Sequence, residues 1–147
     1  MRRLDQKPRL WLTAESSEDI LNRFSQNIQF DQPFDPFKKR DSDKLESILN
    51  SVKQTFGRQH LNPTVLDAAA AYFNQLVRGH AFENGNKRIA VLFTHVFLLL
   101  HGIEFTLDYM SIYKFALLLA IFSDRFNSSK TKEICRKIIN DFTREIS

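Results

Sequence analysis

The chain has 147 residues, 43% of them hydrophobic, which is enough for one core-bearing domain over 1–147. Four Gly and four Pro disfavour an all-β fold built on tight turns, and the lone cysteine, Cys135, excludes an intramolecular disulfide or a Cys-based zinc site. The net charge of +4, taken as a mild excess spread along the chain, argues against a dense nucleic-acid stripe and suits an anionic ligand or an acidic partner equally. A single thiol fits a reducing cytoplasm. Arg2, Arg3, Asp5, Lys7 and Arg9 open the chain with no apolar stretch behind them, unlike a secretory signal. The apolar runs at 98–100 and 117–122 are too short to cross a membrane.

Residues 1–14 show no period and are expected to form an arm. Ser16 or Ser17 is the expected N-cap of a first helix reaching about residue 29, with Ile20, Leu21, Phe24 and Ile28 on one face. Pro33 and Pro36 mark a loop. A second helix is expected from Asp41 or Ser42, burying Leu45, Ile48, Leu49 and Val52. The pattern breaks over 55–61, where Gly57 suggests a short hairpin or flap. Asn62-Pro63 predicts the start of a third helix, which runs to about residue 78.

A fourth helix, about 86–101, is apolar nearly all round, as befits a central helix, and Gly102 suits the position just past its end. Asp108 is the expected cap of a fifth helix ending near Phe122. Ser128 or Ser129 starts a sixth, with Ile134, Ile138, Ile139 and Phe142 turned inward. The 14 Phe residues fall mostly at helical spacing and read as core. The expected fold is all-α, about six helices around the apolar fourth.

The loop between the third and fourth helices reads His-Ala-Phe-Glu-Asn-Gly-Asn-Lys-Arg over 80–88. A helix start presents unpaired N–H groups and a positive dipole end, an anion site to which Lys87 and Arg88 add two charges. Imidazole can take a proton near neutral pH, so His80 beside a phosphate cradle outlines a phosphoryl- or nucleotidyl-transfer site. Plainer readings exist for each residue. His80 could cap the third helix, Gly85 could be a turn glycine, Asn86 an N-cap, and Lys87-Arg88 a solvated face. Phe82 is expected in the core on either reading.

These nine residues resemble the signature of the Fic/Doc family, His-x-Phe-x-(Asp/Glu)-Gly-Asn-(Gly/Lys)-Arg. The likeness runs over about 42–125, taking in Leu45-Glu46-Ser47, Gln54-Thr55-Phe56-Gly57 and the 97–102 helix end. The resemblance implies that His80 is the general base toward a Ser, Thr or Tyr hydroxyl of a target protein. It implies that Asn84, Gly85, Lys87 and Arg88 contact the phosphates of ATP, that Asn86 either holds the loop or touches phosphate with them, and that Thr55, Phe56, Gly57 and Arg58 form a flap that clamps the target. Arg58 and His60, by themselves, read as exposed loop polarity, and His95 and His101 as structural.

Lys87, where the adenylylating branch usually has Gly, and Val91, where that branch has a second Arg, both resemble the Doc (death-on-curing) toxin branch. That branch implies transfer of the γ-phosphate of ATP. Asn84 departs from the family's acidic residue, which helps hold Mg²⁺. A neutral amide is a weaker ligand for a hard dication, which leaves three outcomes: Asn84 still binds a metal already carried by the triphosphate, which is the favoured one, Glu83 takes its place, or the enzyme is impaired.

The family's inhibitory motif, (Ser/Thr)-x-x-x-Glu-(Gly/Asn), is approached only by Ser42…Glu46 and Ser129…Glu133, which Ser47 and Ile134 follow. The resemblance therefore implies silencing in trans by an antitoxin protein. The leading expectation is a cytoplasmic toxin-like protein phosphotransferase whose target is a translation factor. The alternatives are a protein adenylyltransferase (NMP transfer) using the same site, or a non-catalytic Fic-fold binding module. Nucleic-acid binding rests on pI alone, and no membrane role is expected.

Overall fold

The computed structural model describes residues 1–24, 37, 40–82, 85–123 and 125–147. Among them run six α-helices: α1 (Ala14–Phe24), α2 (Ser42–Val52), α3 (Val65–Arg78), α4 (Asn86–Leu100), α5 (Tyr109–Phe122) and α6 (Ser128–Asp141). The mostly helical architecture agrees with the sequence. The second half of the expected first helix, with Ile28, and the Pro33–Pro36 loop fall outside the described residues.

The centre of the molecule is the antiparallel pair α3 and α4. Helix α5 packs on α4, while α6 and α2 pack on α3. Ile89, Leu92, Phe93 and Phe97 of α4 are completely buried, and Tyr72 and Phe73 of α3 meet them. Tyr72 is edge-on to Phe97, with ring centroids 5.0 Å apart. Helix α5 also lacks a polar face, yet it is peripheral and leaves Leu118, Ile121 and Phe122 exposed.

Helix starts follow local side-chain chemistry, in two places differently from the sequence expectation. Asp41 and Asp108 cap α2 and α5 as expected, accepting the N–H of Lys44 and Ser111. Helix α1 begins earlier, because Thr13 and Ser16 form a reciprocal box: Thr13 N–H to Ser16 Oγ at 2.7 Å and Ser16 N–H to Thr13 Oγ1 at 3.1 Å. Ser17 is buried one residue further on. Helix α3 is capped by Thr64, which accepts the N–H of Asp67 and donates to its carboxylate, rather than by Asn62. The Asn62 amide is buried instead, donating to the Val52 carbonyl at 2.8 Å. Helix α6 begins at Ser128, as expected, with Asn127 as its cap.

The opening residues are not a free arm. Leu4 and Leu12 enter the core, Val65 donates its N–H to the Gln6 carbonyl, and the Arg3 guanidinium donates to the carbonyls of Gly102 and Ile146. The Leu12 N–H donates to the buried Tyr72 hydroxyl at 2.9 Å. Tyr72→Phe keeps the ring but strands that N–H, and a loss of about 1–3 kcal/mol is expected in denaturant unfolding. A second feature without a sequence cue is an antiparallel ribbon, β3 (Ile103–Phe105) with β4 (Thr143–Glu145), pairing Ile103 with Glu145 and Phe105 with Thr143.

His101 joins this end of the molecule together. Its Nδ1–H donates to the Phe97 carbonyl at 2.8 Å, and its Nε2 accepts the N–H of Arg9 at 3.0 Å and of Leu10 at 3.3 Å. Only the neutral ring can do both. Burial, the larger effect, lowers its pKa; the Phe97 bond opposes the shift and the nearby Arg9 charge adds to it. The folded protein thus binds fewer protons than the unfolded chain as pH drops below the ordinary histidine value of about 6.5. Stability is expected to be full above that pH and to fall as the pH drops through the folded-state value. His95, bonded to the Tyr109 hydroxyl and likewise shifted down by burial, adds in the same direction. Thermal unfolding between about pH 7.5 and pH 5 checks this, and His101→Asn is expected to flatten the slope.

Candidate functional site

Helix α3 ends at Arg78, with Gly79 as its C-cap. A Cβ on Gly79 would lie 2.4 Å from the Ile48 Cδ1 and 2.7 Å from the Gln75 carbonyl oxygen, so only glycine lets α3 close this tightly on α2. His80 follows with φ +50, and no other non-glycine among the described residues has positive φ. Helices usually place glycine where the chain turns left-handed just past the C-cap. Here a histidine takes the strained position, and strain of this kind gathers at functional sites. His80 is exposed, and its ring has no hydrogen bond or ion pair among the described residues. It therefore does not cap α3.

The loop after His80 is anchored at both ends. The Asp41 N–H donates to the Ala81 carbonyl at 2.7 Å, which ties the loop to the start of α2. Phe82 is buried, as expected, with its ring centroid 6.5 Å from that of Phe37. The Asn86 side chain closes the loop on itself: its Oδ1 accepts the Phe82 N–H at 3.0 Å and its Nδ2 donates to the Phe82 carbonyl at 2.8 Å. Asn86 is the first residue of α4 and is buried, so it is neither the N-cap nor turned outward. The N-cap is Gly85, at φ +80 and ψ +16.

A Cβ on Gly85 would fall 2.8 Å from the Arg88 Nη2 and 3.3 Å from its Cζ. The Arg88 guanidinium therefore lies directly over the bare backbone at the start of α4, and Arg88 is almost fully buried. Lys87 is half-exposed beside it. The structure thus brings His80, Gly85, Asn86, Lys87 and Arg88 into one loop and helix start. Val91, at the position read as branch-specific, is wholly buried in the core.

Asn84 and its neighbour Glu83 lie outside the described residues. Among the described residues no three His, Cys, Asp or Glu side chains come together as a metal site. With the Asn86 amide committed to Phe82, the loop's described side chains add no oxygen ligand for a dication. Among the described residues, then, the loop offers no cage of carboxylates for a dication.

The expected flap is a two-stranded hairpin, β1 (Thr55–Phe56) and β2 (Gln59–His60), pairing Thr55 with His60 and Phe56 with Gln59. Of its two turn residues only Gly57 has positive φ, at +66, the pattern of a type II′ turn. Thr55, Phe56, Gly57 and Arg58 are all exposed. His60 is not idle polarity: its Nδ1 lies 3.0 Å from the Lys53 carbonyl and its ring packs on Trp11. The hairpin is therefore held to the end of α2 at Val52 and Lys53, about one helical turn (~6 Å) beyond the Ile48 contact with Gly79.

An exposed histidine, with no partner among the described residues, thus stands beside a helix start with bare backbone and two cations, in a helical protein. The chain belongs to the Fic/DOC family, whose model matches residues 11–98. That family transfers nucleotide-derived groups to proteins. No curated protein matches the chain. No described helix is long and apolar enough to cross a membrane.

Proposed function

We propose that the chain, as one domain over 1–147, is a cytoplasmic toxin-like phosphotransferase of the Doc branch. It moves the γ-phosphate of ATP to a Ser, Thr or Tyr hydroxyl of a target protein, a translation factor being the target class the branch suggests. The observation that carries this reading is His80, exposed, strained and bonded to no described residue, five residues before a glycine-capped helix start bearing Lys87 and Arg88.

In this reading His80 takes the proton from the target hydroxyl. The hydroxyl oxygen attacks the γ-phosphorus, the bond from that phosphorus to the bridging oxygen breaks, and ADP leaves. Gly85 lets backbone N–H groups approach the phosphates, and Lys87 and Arg88 offset the charge that spreads in the transition state. Asn84 would be the protein contact of a Mg²⁺ carried by the triphosphate, which would offset charge on the phosphate oxygens. The exposed strand edges of the Thr55–His60 hairpin suit pairing with an extended target segment. Lys87 in place of Gly, and Val91 in place of a second Arg, support γ- over α-phosphate transfer. An antitoxin protein bound in trans is the proposed silencer.

The test is incubation of the protein and a cell lysate with ATP labelled at the α or the γ position. Label from the γ position on a protein band is the expected result. Label from the α position shows NMP transfer through the same site. No label from either, with the biological effect retained in His80→Ala, shows a binding module.

A further inference from the structure

At the far end of the α3–α4 pair from the motif lies a cavity of about 270 Å³, lined by Arg3, Gln6, Lys7, Arg9, Val65 and His101. Val65 is the first residue of α3 and His101 follows the last residue of α4, whereas the motif follows α3 and opens α4. The length of α3 alone, about 21 Å, separates the two places.

The positive excess is concentrated here, not spread along the chain as its overall composition suggests. Four cations and one carboxylate, Asp5, fall within residues 1–9. Asp5 is taken up by Arg2, at 2.8 and 3.0 Å. Arg3 is turned to the carbonyls of Gly102 and Ile146, with the Glu145 carboxylate 3.5 Å from its Nε. Lys7 and Arg9 have no hydrogen bond or ion pair from their side chains to any described residue.

The segment carrying these cations is fixed in place. The Gln6 carbonyl accepts the Val65 N–H at 2.8 Å, Pro8 is buried, and the N–H groups of Arg9 and Leu10 converge on the His101 Nε2. Three cations held around one cavity repel one another, and a multivalent anion removes that repulsion. The positive end of the α3 dipole opens on the same cavity at Val65. The volume is just below that of pockets for drug-sized ligands, so it has room for a small phosphoryl-bearing anion and excludes a large one.

We propose that this cavity is a second anion site, separate from the motif, and that it takes a small phosphoryl-bearing anion through Arg3, Lys7 and Arg9. The site stands whether or not the motif transfers phosphate.

The test is a titration of the full-length, ¹⁵N-labelled protein with inorganic pyrophosphate at low ionic strength, following the amides of Arg9, Leu10 and Val65 separately from those of Lys87 and Arg88. Saturable shifts are expected in the first group. In Lys7→Gln/Arg9→Gln their midpoint is expected to rise about a hundredfold, roughly tenfold for each charge-assisted contact removed, while the motif amides respond as before. In Lys87→Gln the midpoint of the first group is expected to stay where it was. Both altered side chains at the cavity are exposed, so the double variant is expected to fold normally. Unmoved Arg9 and Leu10 amides in the unaltered protein overturn the proposal. So does an unchanged midpoint in the double variant, or a response to duplex RNA without one to pyrophosphate.

Discussion

His80→Ala is expected to reduce transfer by about a hundredfold to ten-thousandfold, the range for loss of a positioned general base, while its circular dichroism and unfolding transition stay close to those of the parent. The two halves of this expectation have separate causes. The activity falls because nothing else described in the loop can accept the proton: Asn86 is tied to Phe82, and Lys87 and Arg88 are cations. The fold persists because the His80 ring is exposed and bonds to nothing described. His80→Gly sharpens the test. Glycine relieves the positive φ but loosens the unfolded chain, leaving a net gain of about 0.5 kcal/mol, roughly 1–2 °C in Tm. A variant that is slightly more stable and inactive is the signature of a residue kept for chemistry. Single-turnover labelling of a target, with calorimetry on the same preparations, checks both halves. Full transfer by either variant removes His80 from the role of base.

What the sequence makes legible here tracks the length of the element. Helices α2 to α6 repeat their apolar positions over three or more turns, so their order, and the central burial of α4, follow from periodicity. The motif is legible because its residue types are rare in combination. The losses are all short. A three-residue strand such as Ile103–Phe105 has no period to read, and its partner, Thr143–Glu145, lies far along the chain. The first twelve residues bury only Leu4, Leu12 and Pro8, too few for a pattern, though their hydrogen bonds to Val65, Tyr72 and His101 fix them firmly. Caps slip when two candidates compete: Thr64 defeats Asn62 because Asp67 stands three residues on and completes the box. Gly79 carries no motif at all. Its necessity appears only when Ile48 and the Gln75 carbonyl are seen against it.

Asn86→Ala is expected to lower both stability and turnover, and the pairing of the two effects decides what this side chain does. Its amide occupies the Phe82 N–H and the Phe82 carbonyl together, in a buried setting. Alanine leaves both groups without a partner, at about 1–3 kcal/mol for a buried unsatisfied group, or several degrees in Tm. The loop between His80 and Gly85 then loses its clasp. A displacement of about 1 Å between base and phosphate is enough for a hundredfold fall in kcat. Asn86→Asp separates the two bonds. The carboxylate still accepts the Phe82 N–H but faces the Phe82 carbonyl with like charge, so it is expected to be at least as disruptive as alanine. If Asn86 instead served ATP directly, the alanine variant would show a raised KM for ATP with an unaltered melting temperature. Thermal unfolding and a kcat against KM comparison on the two variants distinguish these outcomes. The buried double contact to Phe82 favours the first, because it holds the amide oxygen and one of the two N–H groups and keeps the side chain turned into the loop.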